Sequence, residues 1–194
     1  MTPSVEPIRS FLIAEVRAFV TRARELPGIR RLALIGSLAT PKQDPKDADL
    51  LIWVDDGLDL TRLAAAARRL KGRAQGRNSG ADLFIVNPRN EYVGRICRFR
   101  DCRPFIGMSC RALHCGRRPH LCDDLQVVDL PPEVIQTPPV DLWPTAAVHT
   151  SVPKDIQELV FSMTSPHPPS SLDGSGGATS NVPEQWPQIL GRMP

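Results

Sequence analysis

Two aspartates at the start of an apolar segment are the side chains of this sequence best suited to chemistry. Asp47 and Asp49 are separated by Ala48 and lead directly into the apolar run Leu50–Val54. Residues two apart in a β-strand point to the same face, so the two carboxylates project together from one strand. Carboxylates this close repel each other, and a hard divalent cation such as Mg²⁺ relieves that repulsion. The pair therefore predicts a magnesium site.

A Gly-Ser pair precedes the two aspartates along the chain. Gly36 and Ser37 follow the apolar run Leu32–Ile35, and nine residues separate Ser37 from Asp47. This order predicts a strand, a tight turn, a polar surface loop and a second strand. Backbone N–H groups at the start of a short helical segment, beside a serine hydroxyl, suit a triphosphate. An ordinary turn explains Gly-Ser by itself, but the aspartates that follow favour phosphate binding.

A third carboxylate lies on the next predicted strand. Asp82 stands within Gly80–Val86 and leads into a short apolar run. The ordered set of hydrophobic-Gly-Ser, a spacer, Asp-x-Asp and a later strand aspartate resembles the signature of the polymerase-beta-type nucleotidyltransferases, especially their small, minimal members. The resemblance covers the segment from Ile29 to Asn87. It depends on three parts in order on three predicted strands rather than on any one motif.

This resemblance implies an enzyme that moves an NMP from an NTP to a hydroxyl acceptor and releases pyrophosphate. Two Mg²⁺ ions would stabilise the attacking and leaving oxygens of an in-line displacement. By the same resemblance, Asp47 and Asp49 hold both ions, while Asp82 binds the ion at the acceptor hydroxyl and helps it lose a proton. Gly36 and Ser37 cradle the β- and γ-phosphates. ATP is the expected donor, and the acceptor stays open between a partner toxin protein, an RNA end and a small molecule.

The segment 93–122 differs in composition from the rest of the chain, because it holds all five cysteines and many arginines. Structural zinc sites often pair cysteines two to four residues apart. A structural Zn²⁺ within Cys97–Cys122 is therefore one interpretation, with His114 or His120 as a replacement ligand. The other is that the cysteines are small apolar side chains of a packing surface. Zinc would support an alternative function: a catalytically inactive, nucleotidyltransferase-like binding module that contacts nucleic acid.

The elements that must position these residues alternate between helix and strand. The predicted fold class is α/β (α+β): a nucleotidyltransferase-like mixed sheet with helices on one side, plus a Cys/Arg-rich extension and a disordered C-terminal tail. We expect a core over 1–92, the extension over 93–162 packed on it, and the tail over 163–194. Ser4 is the expected N-cap of the first helix, and Asp59 or Thr61 that of the second. Apolar periodicity predicts helices over 5–26, 60–71 and 152–162, and strands over 29–35, 47–54, 81–86 and 126–130.

The exposed face of the second predicted helix is basic. Arg62, Arg68, Arg69 and Lys71 lie off its apolar stripe. A solvated helix face is the simpler interpretation of this pattern. The other is an electrostatic landing site for a nucleotide or RNA near the carboxylates.

Composition and charge exclude several classes of protein. A hydrophobic content of 41% is enough for a core, and a net charge of +3 does not by itself indicate nucleic-acid binding. No run approaches the roughly 20 apolar residues of a membrane span, and the N-terminus lacks the apolar segment of a secretory signal. An odd number of cysteines, bunched in one segment, fits a reducing compartment. We therefore expect a cytoplasmic protein with no membrane partner.

Overall fold

The computed structural model describes residues 6–98, 118–122, 124, 138–145 and 152–164. Its strands are β1 (Ile29–Ile35), β2 (Asp47–Val54), β3 (Gly80–Val86), β4 (Tyr92–Ile96), β5 (Leu121–Cys122) and β6 (Val140–Trp143). Its α-helices are α1 (Ile8–Ala23), α2 (Thr61–Gln75) and α3 (Lys154–Thr164). The strands form one six-stranded sheet in the order β5-β4-β3-β2-β1-β6. Among the described strands only β2 and β3 are parallel neighbours, so the predicted mixed sheet is confirmed.

All three α-helices pack on one face of the sheet. Leu34 of β1 and Leu50 of β2 join the same apolar cluster as Phe19 of α1, Leu63 of α2 and Ile156 of α3. The opposite face carries a smaller cluster, to which none of the described helices contributes. Helices on one side of the sheet are therefore confirmed for the described residues. The members of the smaller cluster are Ala33, Ile35, Leu51, Trp53, Phe84, Val86 and Tyr92.

Helix α2 is the crossover that allows β2 and β3 to run parallel, since parallel neighbours cannot be joined by a tight turn. The carboxylate of Asp59 accepts hydrogen bonds from the backbone N–H and the hydroxyl of Thr61, at 2.9 and 2.7 Å. Leu60 occupies the N-cap position and makes no side-chain cap hydrogen bond. The expected N-cap at Asp59 or Thr61 is therefore wrong, although Asp59 binds the first residue of the helix. The helix continues past Lys71 to Gln75, because Gly72 lowers helix stability without ending the helix, and Gly76 follows as its C-cap.

Several predicted boundaries are wrong or lie outside the described residues. Helix α1 begins at Ile8, directly after Pro7, so the expected cap at Ser4 is wrong. Proline has a fixed φ and lacks an N–H, and it commonly stands at a helix start. Strands β4 and β6 were not predicted, because a glycine interrupts the first and prolines surround the second. The predicted strand 126–130, and the tail beyond the end of α3 at residue 164, lie outside the described residues.

Gly94, the glycine that interrupts the apolar pattern of β4, also allows β4 to pair with β5. Gly94 has a φ of +135°, a conformation that other residues rarely adopt. A Cβ at this position would lie 2.5 Å from the backbone oxygen of Cys122 on β5. The glycine therefore permits a close approach of the two strands. None of the helices in the described part of the chain is long and apolar enough to cross a membrane.

A buried arginine connects α1, the loop after β1 and α3. The Arg9 Nη1 atom donates to the backbone oxygens of Thr40 and Lys42, each at 2.9 Å. Its Nη2 atom donates to Asp155 Oδ1 at 3.0 Å, and its Nε atom donates to the other oxygen of that carboxylate. The hydrogen bond and the charge of Arg9 hold the pKa of Asp155 below its ordinary value. Arg9 thus fixes the loop that follows the Gly-Ser turn.

Arg9→Ala should lower the free energy of unfolding by about 2 kcal/mol, because two loop carbonyls and a carboxylate lose their partner. The Asp155 part of this loss exists only while that carboxylate is ionised. The difference in free energy of unfolding between wild type and variant should therefore be largest above about pH 4 and decrease as the pH falls further. Denaturant unfolding measures both effects. Arg17→Ala, at an exposed position of the same helix, is the matched control, and an equal loss there would contradict the prediction.

Candidate active site

Parallel pairing of β2 with β3 brings the three predicted carboxylates together where both strands begin. In the register, Asp49 lies opposite Asp82, and Asp47 lies opposite Gly80. Two residues further along the strands, Leu51 and Phe84 belong to the cluster on the helix-free face. Because strand side chains alternate between faces, all three aspartates lie on that helix-free face.

The side chain of Asp47 lies across Gly80. A Cβ placed on Gly80 would come within 2.1 Å of Asp47 Oδ1, far inside contact distance. Only glycine leaves room for this position of the carboxylate. The sequence analysis did not assign a role to Gly80, although a glycine next to a strand aspartate often marks a close approach of another group.

The three carboxylates differ in their partners. Among the described residues, the carboxylates of Asp47 and Asp49 make no hydrogen bond or ion pair. Both oxygens of Asp82 are engaged: Oδ1 accepts from Lys71 Nζ at 2.9 Å and Oδ2 from Arg95 Nη1 at 3.3 Å. In line with this pairing, the described residues contain no group of three His, Cys, Asp or Glu side chains arranged to hold a metal ion.

Asp49 carries the most strongly shifted pKa of the three. Burial raises the pKa of this half-buried carboxyl, and the negative charges of Asp82 and Asp47 raise it further. The positive charges of Arg95 and Lys71 lower it in part, and the resulting pKa is about 7. The two cations therefore do not offset the combined effect of burial and of the neighbouring carboxylates on Asp49. A further positive charge, either a proton or a metal ion, is favoured at Asp49 near neutral pH.

The predicted Gly-Ser turn follows the strand that neighbours β2. Ile35, the last residue of β1, pairs with Asp49, so Gly36 and Ser37 come directly after a residue next to the carboxylates. Gly36 has a φ of +72°, which explains the glycine at this position. Ser37 begins the short 3₁₀ segment Ser37–Ala39, as predicted. In the described part of the chain, the Ser37 hydroxyl has no hydrogen-bond partner.

Sequence reasoning missed a buried charge network beside Asp82. Asp124 is only 1% exposed, and its carboxylate accepts hydrogen bonds from the Tyr92 hydroxyl and from Arg95 Nε. Burial and the hydrogen bond to Asp124 raise the pKa of Tyr92 above its ordinary value, so the phenol remains a donor. This network holds the Arg95 guanidinium next to Asp82. No motif marks these residues, because the arginine and the aspartate meet only when β4 joins the sheet.

The basic face of α2 is mostly engaged within the chain. Arg68 Nη2 lies 3.0 Å from His120 Nδ1, Lys71 pairs with Asp82, and Arg73 pairs with Glu15 at 2.9 Å. Arg62 and Arg69 are exposed and line a groove of about 540 Å³ between α1 and α2. Neither arginine makes an ion pair or side-chain hydrogen bond within the described part of the chain. The landing site for a nucleotide or RNA on this helix stays a prediction.

The predicted zinc segment is described only in part. Cys97 follows β4 and Cys122 ends β5, and the backbone N–H of Cys97 donates to His120 O at 2.8 Å. Three cysteines and one histidine of the predicted set lie outside the described residues, so structural zinc stays a prediction. Those residues are Cys102, Cys110, Cys115 and His114.

Asp49→Asn should stabilise the metal-free protein, by an amount that grows with pH. The pKa of Asp49 is about 7 in the folded chain and near 4 in an unfolded one. Between these values the folded state binds more protons, so its stability falls as pH rises. The variant should match wild type at about pH 4 and exceed it by about 1 to 3 kcal/mol at about pH 8.

Denaturant unfolding in EDTA across this pH range measures the difference. Asp44→Asn, at an exposed loop position, should change stability little and serves as the matched control. A gain from Asp49→Asn that is absent, or equal at every pH, would contradict the proposed repulsion.

Comparison with known proteins gives no family for this arrangement. No family model matches the chain, and neither the curated proteins nor the solved structures include a significant match to it. The geometry of the carboxylates and their neighbours is therefore the basis on which a function is assigned.

Proposed function

We propose that this chain is a Mg²⁺-dependent nucleotidyltransferase that moves an NMP from an NTP to a hydroxyl acceptor. The observation that carries the proposal is the register of β2 and β3. It places Asp47 and Asp49, two carboxylates without a described partner, beside Asp82 on one face of the sheet. The Gly-Ser turn follows the strand next to them. These are the residues to which the resemblance to the nucleotidyltransferases gives metal- and phosphate-binding roles, and their proximity supports the proposal.

The donor set fits Mg²⁺. Carboxylate oxygens are the ligands this ion prefers, and Asp49 has a raised pKa that an added cation would relieve. Asp47 and Asp49 would hold the metal, and Asp82 would join them at the acceptor side. Bound Mg²⁺ would supply charge stabilisation at the attacking and leaving oxygens.

The remaining roles fall to residues around the carboxylates. Asp82 would accept the proton of the acceptor hydroxyl, and Gly36 and Ser37 would bind the β- and γ-phosphates through backbone N–H groups and the hydroxyl. ATP is the proposed donor. A partner toxin protein or an RNA is the proposed acceptor, in the cytoplasm.

One observation favours a second candidate, a catalytically inactive binding module of the same fold. Both oxygens of Asp82 are engaged by Lys71 and Arg95, which is the arrangement expected of a purely structural ion-pair network. In such a module nucleotide binding would not depend on Mg²⁺ or on Asp47 and Asp49. Binding experiments therefore separate the two candidates.

Isothermal titration with ATP, GTP, CTP and UTP tests the proposal. Wild-type protein should bind at least one of them in Mg²⁺ and lose the binding in EDTA. Asp47→Asn/Asp49→Asn should abolish the Mg²⁺-dependent binding while it leaves the fold intact, because it removes two repelling charges. Absence of binding to all four nucleotides, or binding that survives in this variant, would remove the proposal.

Gly80→Ala provides a sharper test of the metal site. The new Cβ would occupy the space of Asp47 Oδ1, so the flexible carboxylate should move while the backbone stays in place. We expect a change in stability within about 1 kcal/mol and a loss of about tenfold or more in affinity for Mn²⁺ used as a probe.

Electron paramagnetic resonance reports the free Mn²⁺ in this test. The matched control is Gly72→Ala, where an added Cβ meets nothing within 4 Å. Equal Mn²⁺ affinity in wild type and in Gly80→Ala would show that Asp47 is not a ligand.

A further inference from the structure

We propose that Lys71 and Arg95 form the polyphosphate subsite of this protein, and that Asp82 holds them in place until metal and phosphate arrive together. The inference rests on the proposed function and adds two cations to the phosphate-binding residues Gly36 and Ser37. Lys71 and Arg95 would bind the part of the phosphate chain that lies beside Asp82. In the nucleotide-free protein, Asp82 takes the place that the phosphate oxygens would occupy.

Arg95 is built into the site more firmly than a surface arginine. Its Nε atom donates to Asp124, a carboxylate that is 1% exposed and is held from its other side by Tyr92. A buried carboxylate of this kind fixes the direction of the guanidinium. The Nη1 atom is left to reach Asp82, over a longer distance of 3.3 Å. One part of Arg95 is anchored, and another part faces the carboxylates.

Lys71 approaches the same aspartate from α2. Its Nζ atom lies 2.9 Å from Asp82 Oδ1, and its side chain is 24% exposed. Asp82 itself keeps 36% of its side chain exposed, so an ionic ligand from solvent can reach both partners. Lys71 of α2 and Arg95 of β4 thus both contact the accessible carboxylate of Asp82.

The charges of the cluster explain why these cations would change partner. Three carboxylates, Asp47, Asp49 and Asp82, lie together on one face of the sheet, and the cations Lys71 and Arg95 both contact Asp82. A divalent ion at the aspartates would compensate them and weaken their hold on the two side chains. Phosphate oxygens beside that ion are strong acceptors for an ammonium and a guanidinium.

This exchange predicts that metal and polyphosphate bind cooperatively. Metal binding frees the cations, and bound phosphate keeps them away from Asp82, so each ligand should raise the affinity for the other. Specificity would be for the chain of phosphates rather than for the base. The fitting ligand class is therefore a nucleoside triphosphate or inorganic tripolyphosphate.

Isothermal titration in Mg²⁺ with ATP and with inorganic tripolyphosphate tests the inference. Lys71→Gln should weaken the binding of both by about tenfold or more, because one charge-assisted contact is lost. Arg17→Gln removes a positive charge from an exposed position of α1 to which no binding role is assigned and is the matched control. It should bind both ligands as wild type does.

A test of Arg95 requires a substitution that keeps a positive charge beside the buried carboxylate of Asp124. Arg95→Gln would leave Asp124 without its cation and risk unfolding. Arg95→Lys keeps a positive charge for Asp124, but a single ammonium cannot serve Asp124 and a phosphate as the guanidinium fork does. We expect this variant to fold and to lose about tenfold in affinity for tripolyphosphate.

Asp82→Asn gives a result of the opposite sign. In EDTA it should bind tripolyphosphate more tightly than wild type, because Lys71 and Arg95 are released, and adding Lys71→Gln should cancel that gain. Unchanged tripolyphosphate binding in both Lys71→Gln and Arg95→Lys would overturn the inference, even where ATP binding upholds the proposed function. Tripolyphosphate binding that depends on these residues, with no binding of any NTP, would keep the subsite and overturn the proposed function.

Discussion

The parallel pairing of β2 with β3 is the constraint on which the candidate site depends. Antiparallel neighbours could be joined by a short turn, but this pair requires α2 as a crossover, and α2 also delivers Lys71. The in-register start of the two strands sets Asp49 against Asp82 and Asp47 against Gly80. A slip by one residue would turn each aspartate into the apolar core under the helices. Fold and site are therefore specified by the same contacts.

The carboxylates around this pair of strands differ in burial and in their ion-pair partners. Asp124 is buried and fully paired, Asp82 is accessible and paired, and Asp47 and Asp49 have no described partner. Arg95 contacts both the buried Asp124 and the accessible Asp82. A buried network whose hydrogen bonds are all made can hold neighbouring side chains in a fixed orientation. Proteins use such support to position groups that bind an ionic ligand.

The sequence predicted the carboxylates well, because their signal is local. Asp47 and Asp49 are two residues apart in an apolar strand, and Asp82 leads into another such strand. Gly36 was recognised for the same reason. Tyr92, Arg95 and Asp124 were missed, since their role appears only when β4 pairs with β3, and no periodicity in the sequence marks that pairing. Ser4 failed as a cap because Pro7 determines where α1 begins.

The link between Arg9 and Asp155 spans 146 residues of chain and fastens the loop that follows the Gly-Ser turn. Contacts of such separation form late, because most of the polypeptide must be in place before they can close. During synthesis, the segment up to β3 can emerge from the ribosome with β2 and β3 already paired and the three aspartates side by side, yet without the anchor for this loop. The Gly-Ser turn and its loop would then acquire their final shape only after α3 has been made. Arg9 thus makes the last adjustment of this loop depend on a helix synthesised more than a hundred residues later.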